Sequence, residues 1–93
     1  MVTYPVRVPR DGYRGRNEPR RENASAYNHV AETLEHYINQ EVAESGEREC
    51  YGFCYHAIAR NTGIDRDLVY WMLSRVGCGH RGITVWKPTE LKT

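Results

Sequence analysis

Residues 55–72 read YHAIARNTGIDRDLVYWM, apolar-patterned on both sides of a glycine. The first run, which begins at Phe53 and Cys54, continues through Ala57 and Ile58 and ends at Asn61-Thr62-Gly63. Gly63 suits the point where a chain turns out of a helix, because a residue without Cβ enters the left-handed region at little cost. Ile64 follows, and Asp65 stands where a carboxylate can accept from the free N–H groups of a second helix over residues 66–76. The buried arc of that helix is Leu68, Val69, Met72, Leu73 and Val76. Ala59, Gly63 and Val69 share one physical rationale. Two short helices that cross closely need a small residue in the first, a turn residue between them, and an aliphatic residue to lock the crossing.

Upstream, Tyr27, Val30, Ala31, Leu34, Ile38 and Val42 recur at spacings of three and four, with Tyr37 at the edge of the stripe. They predict an amphipathic helix from about Ser25 to Glu44, capped by Asn23 or Ser25 and stopped at Ser45-Gly46. Glu32, Glu35, His36 and Asn39 occupy its polar face. A short strand is expected around Glu49-Cys50-Tyr51. Downstream, Gly77, Gly79 and Gly82 break the chain, Ile83-Thr84-Val85-Trp86 reads as a strand, and Pro88 stops it.

The 55–72 stretch resembles a helix-turn-helix unit. Ala59, Gly63 and Val69 match the spacing of the family's small, turn and aliphatic positions, with Ile58, Ile64 and Met72 at its packing positions. The glycine-rich loop and strand that follow look like the wing of the winged helix-turn-helix DNA-binding family. The resemblance implies a mainly α fold with a small β wing, over residues 24–88, with a tail at 89–93.

Residues 1–23 read as a flexible basic arm. Pro5, Pro9 and Pro19 punctuate it, Gly12 and Gly15 loosen it, and arginine, glycine and tyrosine dominate residues 10–16. The net charge of +1 conceals a segregation: +3 over residues 1–23, −5 over 24–49 and +3 over 50–93. Two basic regions around an acidic one suit a protein that meets a polyanion and turns one face away from it.

The resemblance therefore implies duplex DNA as partner, with the 66–76 helix in the major groove and a role in transcription or genome regulation. Carried onto this chain, the contacts are Arg66, Tyr70, Ser74 and Arg75 on the second helix, Arg60 on the first, and His80 and Arg81 on the 79–82 wing tip. Arg14, Arg16, Arg20 and Arg21 of the arm add phosphate attraction. The centre of the recognition face, Asp67, Tyr70, Trp71 and Ser74, departs from the usual groove-reading set of Arg, Lys, Asn and Gln. An exposed Tyr-Trp pair is also what a protein interface uses as an anchor. The alternative expectation is therefore a protein-binding module, of the kind that modulates a host enzyme for a phage or plasmid, anchored by Leu68, Tyr70 and Trp71. The long stripe of the 26–44 helix also leaves room for a homodimer.

Other classes are excluded or disfavoured. No run approaches the ~18 apolar residues of a membrane span, and the first ten residues lack a signal-peptide core, which points to the cytoplasm. Three cysteines cannot form a fully paired disulfide scaffold. Cys50, Cys54, Cys78 and His80 are the candidate zinc ligands, but a C-x3-C followed much later by C-x-H is not a usual zinc spacing, and no metal or cofactor is expected. No phosphate-binding loop, nucleophile elbow or metalloprotease motif is present, so an enzyme is not expected.

Overall fold

A computed structural model of the 93-residue chain describes residues 2–46, 50–76 and 81–87. Among these the order is β1 (Val2–Thr3), α1 (Glu18–Glu44), β2 (Cys50–Cys54), α2 (Tyr55–Thr62), α3 (Arg66–Ser74) and β3 (Gly82–Trp86). The fold is mainly helical, with the three strands in one mixed sheet ordered β1-β3-β2. No helix among the described residues is long and apolar enough to cross a membrane.

α1 starts seven residues before the expected Ser25. Asn17, not Asn23 or Ser25, is the cap, and its Oδ1 accepts from the Arg20 N–H at 3.1 Å. Pro19 lies in the first turn, where no N–H is needed, so this proline opens a helix instead of punctuating an arm. The apolar stripe behaves as its spacing predicts: Ala31, Leu34, Ile38 and Val42 are fully buried. They meet Ile58, Val69 and Leu73 from the later helices and Ile83 and Val85 from the sheet. The centre of the stripe thus packs into the chain's own core, with Tyr27, Val30 and Tyr37 partly buried at its margin.

The reading of residues 1–23 as an arm outside a domain starting at residue 24 does not describe the structure. Val2, Tyr4, Val6 and Val8 alternate inward along an extended segment, and Val6 and Val8 are 1% and 3% exposed. Burial of each contributes about 1.5–3 kcal/mol. Three α1 side chains then hold this segment by its backbone. The Val6 N–H donates to Asn39 Oδ1 at 2.7 Å while Asn39 Nδ2 donates to the Val6 carbonyl at 2.9 Å. Glu35 Oε1 accepts from the Val8 N–H at 2.9 Å. Asn28 repeats the two-way clamp at Asp11, at 2.6 and 3.0 Å. Glu35 and Asn39 therefore are not a solvated face; they satisfy backbone groups that burial of Val6 and Val8 would otherwise leave unpaired.

The α2–turn–α3 stretch follows its sequence closely. Gly63 has φ 74° and its N–H donates to the Ala59 carbonyl at 2.9 Å. Asp65 Oδ2 accepts from the N–H groups of Asp67 and Leu68 at 3.0 and 3.3 Å. α3 ends at Ser74, with Arg75 as C-cap, two residues short of the expected end. Phe53 and Cys54, expected to open the first helix, instead complete β2, because their register lies opposite Ile83 and Gly82.

The strand expected as part of a wing is the central strand of the sheet. β3 pairs antiparallel with β2 from Cys50↔Trp86 to Cys54↔Gly82, and parallel with β1 at Val2↔Val85. Of the predicted wing tip, Gly79 and His80 lie outside the described residues. A Cβ on Gly82 would fall on the Phe53 carbonyl, so glycine is what lets β2 and β3 approach at that end.

Candidate functional site

α3 buries Val69, Met72 and Leu73 and turns Tyr70 and Trp71 outward, 45% and 50% exposed. This division follows from helical period: residues 69, 72 and 73 share one face, and 67, 70, 71 and 74 share the other. Leu68 is only partly exposed and packs against the core, so it does not join the two aromatics as an outward anchor. Clefts open on either side of the aromatic pair.

The first cleft, of about 490 Å³, is lined by Cys54, Tyr55, His56, Arg66, Asp67, Tyr70 and Arg81. The sheet brings Arg81 there, since Gly82 lies opposite Cys54 and the Tyr55 N–H donates to the Arg81 carbonyl at 3.0 Å. Tyr55 is buried and meets the Tyr70 ring edge-on at 5.4 Å, which orients the exposed tyrosine. Cys54 is the N-cap of α2 and is exposed. The backbone N–H groups of Ala57 and then His56, at the start of α2, hold the thiol below its usual range without a side-chain capping hydrogen bond. Slight burial opposes this, and the charges of Arg66 and Arg81 reinforce it.

The second cleft, of about 510 Å³, lies between the 9–12 segment, α1 and α3, and includes Arg10, Asp11, Arg20, Tyr27, Trp71 and Arg75. The Arg75 guanidinium lies 5.2 Å from the centre of the Trp71 ring, a cation–π geometry. Tyr27 meets Trp71 edge-on at 5.8 Å, and its hydroxyl accepts from Arg75 Nη1 at 3.4 Å. Arg10 pairs with Glu35 at 3.2 Å and Arg20 with Asp11 at 3.4 Å. Arg75 has no carboxylate partner among the described residues, and neither do Arg66 and Arg81.

Of the residues singled out in the sequence, the structure gathers Arg66, Tyr70 and Arg81 in the first cleft and Arg20, Trp71 and Arg75 in the second. Ser74 is exposed on the same helix, with its hydroxyl donating back to the Trp71 carbonyl at 3.0 Å. Arg14, Arg16 and Arg60 are exposed but line neither cleft. Arg21 pairs with Glu18 at 3.6 Å and faces a different side of α1 from Arg20. His80 lies outside the described residues. The sequence reading did not place Arg10 in a site, took Tyr27 only as part of the α1 stripe, and weighed Cys54 only as a zinc ligand. Tyr27 and Trp71 are far apart in sequence, and no local pattern announces that they touch.

Cys50 and Cys54 are both exposed, on the same face of β2. Four residues of strand separate them by about 13 Å, too far for both thiols to bind one ion. Among the described residues no group of three His, Cys, Asp or Glu side chains is arranged to hold a metal; Cys78, like His80, lies outside them.

Protein-family models, curated proteins and solved structures yield no match to this chain, so the functional reading rests on its own residues.

Proposed function

We propose that this protein binds duplex DNA through the exposed face of α3, as a small regulator of transcription or of a genome. One observation carries the reading. Arginines from four separate segments (the 9–12 stretch, α1, the α3 region and the start of β3) line the two clefts beside Tyr70 and Trp71. Three of them, Arg66, Arg75 and Arg81, have no carboxylate partner among the described residues. Cations left unpaired on one face are what a phosphate backbone neutralises.

The local geometry supports a helix-turn-helix arrangement of α2 and α3: a left-handed glycine turn, an aspartate cap, and a buried Val69 at the crossing. A strand before α2 and one after α3 are in keeping with a winged-helix relative. In that arrangement α3 enters the major groove, Arg66 and Arg81 meet one strand's phosphates, and Arg75 meets the other's.

Fluorescence anisotropy of a labelled duplex at several salt concentrations tests this. With three to five phosphates neutralised, log K falls against log salt with a slope of about −2.7 to −4.5. Absence of binding at low salt would remove the proposal.

The half-exposed Tyr70 and Trp71 favour a second reading, a protein partner seated on the same face. Its signature is a partner whose capture is lost in Trp71→Ala and survives salt.

A further inference from the structure

We infer that the cleft between the 9–12 segment, α1 and α3 takes an unpaired nucleotide of a DNA strand, its base stacking on Trp71 and its phosphate drawing Arg75 off that ring. The inference rests on the nucleic-acid reading of the α3 face and adds what kind of DNA end or site that face prefers.

Trp71 is 50% exposed and stands beside three guanidiniums, those of Arg10, Arg20 and Arg75, against the single carboxylate of Asp11 within the cleft. Asp11 is already engaged by Arg20 at 3.4 Å, and Glu35, outside the cleft lining, engages Arg10 at 3.2 Å. The cleft therefore keeps one uncompensated cation, Arg75, and it lies over the indole at 5.2 Å. Its other contact is a long hydrogen bond to the Tyr27 hydroxyl, 3.4 Å. Such a guanidinium exchanges its aromatic contact for a phosphate readily, because charge-assisted bonds to phosphate are the stronger. In leaving, it uncovers the ring it shielded.

Tryptophan is poorly suited to reading base edges in a paired groove, since indole offers one donor and no acceptor. It is well suited to stacking, because every base has a π-face, and within a duplex that face is covered by neighbouring pairs and opens at unpaired positions and ends. Tyr27, edge-on to Trp71 at 5.8 Å, fixes the indole plane, so less ring motion has to be frozen when a base arrives. The cavity of about 510 Å³ has room for a base and its sugar.

The test uses the full chain with Trp86→Phe, so that Trp71 is the remaining indole. Trp86 lies at the end of β3 and does not line this cleft. Two labelled probes are compared at low salt: a blunt duplex, and the same duplex with a fork of five unpaired thymidines on each strand. The forked probe is expected to bind about 5- to 100-fold more tightly and to quench Trp71 emission well beyond any change the blunt duplex causes. Trp71→Leu should remove most of the preference for the fork, and Trp71→Phe, which keeps a stacking ring, should retain much of it. The emission readout needs no substitution at Trp71 and so stands even if Trp71→Leu folds poorly. Equal affinity for the two probes overturns the inference while the DNA reading survives. A fork preference without quenching beyond that of the blunt duplex overturns it too, since the extra contact then lies elsewhere. No binding of either probe overturns the DNA reading beneath it.

Discussion

A methyl group at Gly82 would collide with the Phe53 carbonyl across the β2–β3 pair, and a carbonyl in a strand has nowhere to move without breaking the ladder. Gly82→Ala should therefore cost about 1–3 kcal/mol, as overpacking does, and lower the melting temperature by roughly 5–20 °C in a thermal scan. Gly63 is different: nothing lies near its missing Cβ, and glycine is favoured there only for its positive φ. Cys54 shows how one position in the register acquires chemistry. As the last residue of β2 and the N-cap of α2 it lies at the backbone N–H end of that helix and shares a cleft with Arg66 and Arg81, and its thiol is held below the usual range. Its alkylation by iodoacetamide, localised by peptide mass spectrometry, should accordingly inflect at lower pH than that of N-acetylcysteine. The sign follows from which form is favoured: a depressed pKa means more thiolate at a given pH, hence faster reaction below the ordinary thiol range.

At the scale of elements, α1 does two jobs with two stripes. The apolar stripe enters the core, and Asn28, Glu35 and Asn39, at spacings of seven and four, clamp the extended 6–11 segment. Hydrogen bonds to a strand-like segment from a helix, in place of a neighbouring strand, account for the short β1: the ladder with β3 covers Val2 and Thr3, the Tyr4 N–H still donates to the Trp86 carbonyl at 2.8 Å, and from Val6 onward α1 takes over. Asn39→Ala removes both bonds to Val6 and leaves a part-buried N–H and carbonyl unpaired, a loss of about 1–3 kcal/mol. The segment should then open more often. Limited trypsin digestion followed by mass spectrometry should show faster cleavage after Arg7 and Arg10 than in the wild-type chain.

On the scale of the molecule, the distribution of charge is what folding changes most. In sequence the arginines of residues 1–23 and those of residues 60–81 are separated by an acidic stretch; in the fold Arg10 and Arg20 join Arg75 in one cleft. The acidic residues Glu32, Glu41 and Glu44 lie on α1 and line neither cleft beside α3. If that face neutralises phosphates, replacing Arg66, Arg75 or Arg81 by Gln should each reduce the salt slope of duplex binding by about 1, measured by anisotropy across a salt series. Arg14→Gln and Arg60→Gln, on residues outside both clefts, should leave the slope closer to wild type.

The sequence by itself determined the elements whose signals are local. The α1 stripe, the Gly63 turn, the Asp65 cap, the buried arc of α3 and the strand at 83–86 all follow from spacing, backbone freedom and capping, which act within a few residues. It also named part of each cleft: Arg66, Tyr70 and Arg81 in one, Arg20, Trp71 and Arg75 in the other. Tertiary structure decided the rest. Residues 2–8 alternate apolar and polar as a strand should, yet whether such a segment packs depends on a distant helix supplying acceptors and donors for its backbone. Asn39 and Glu35 look the same in sequence whether they face water or Val6 and Val8. The contact of Tyr27 with Trp71, the pairing of β3 with both other strands, and the convergence of arginines on one face join residues far apart in the chain. Only closure of the core brings them within reach of one another.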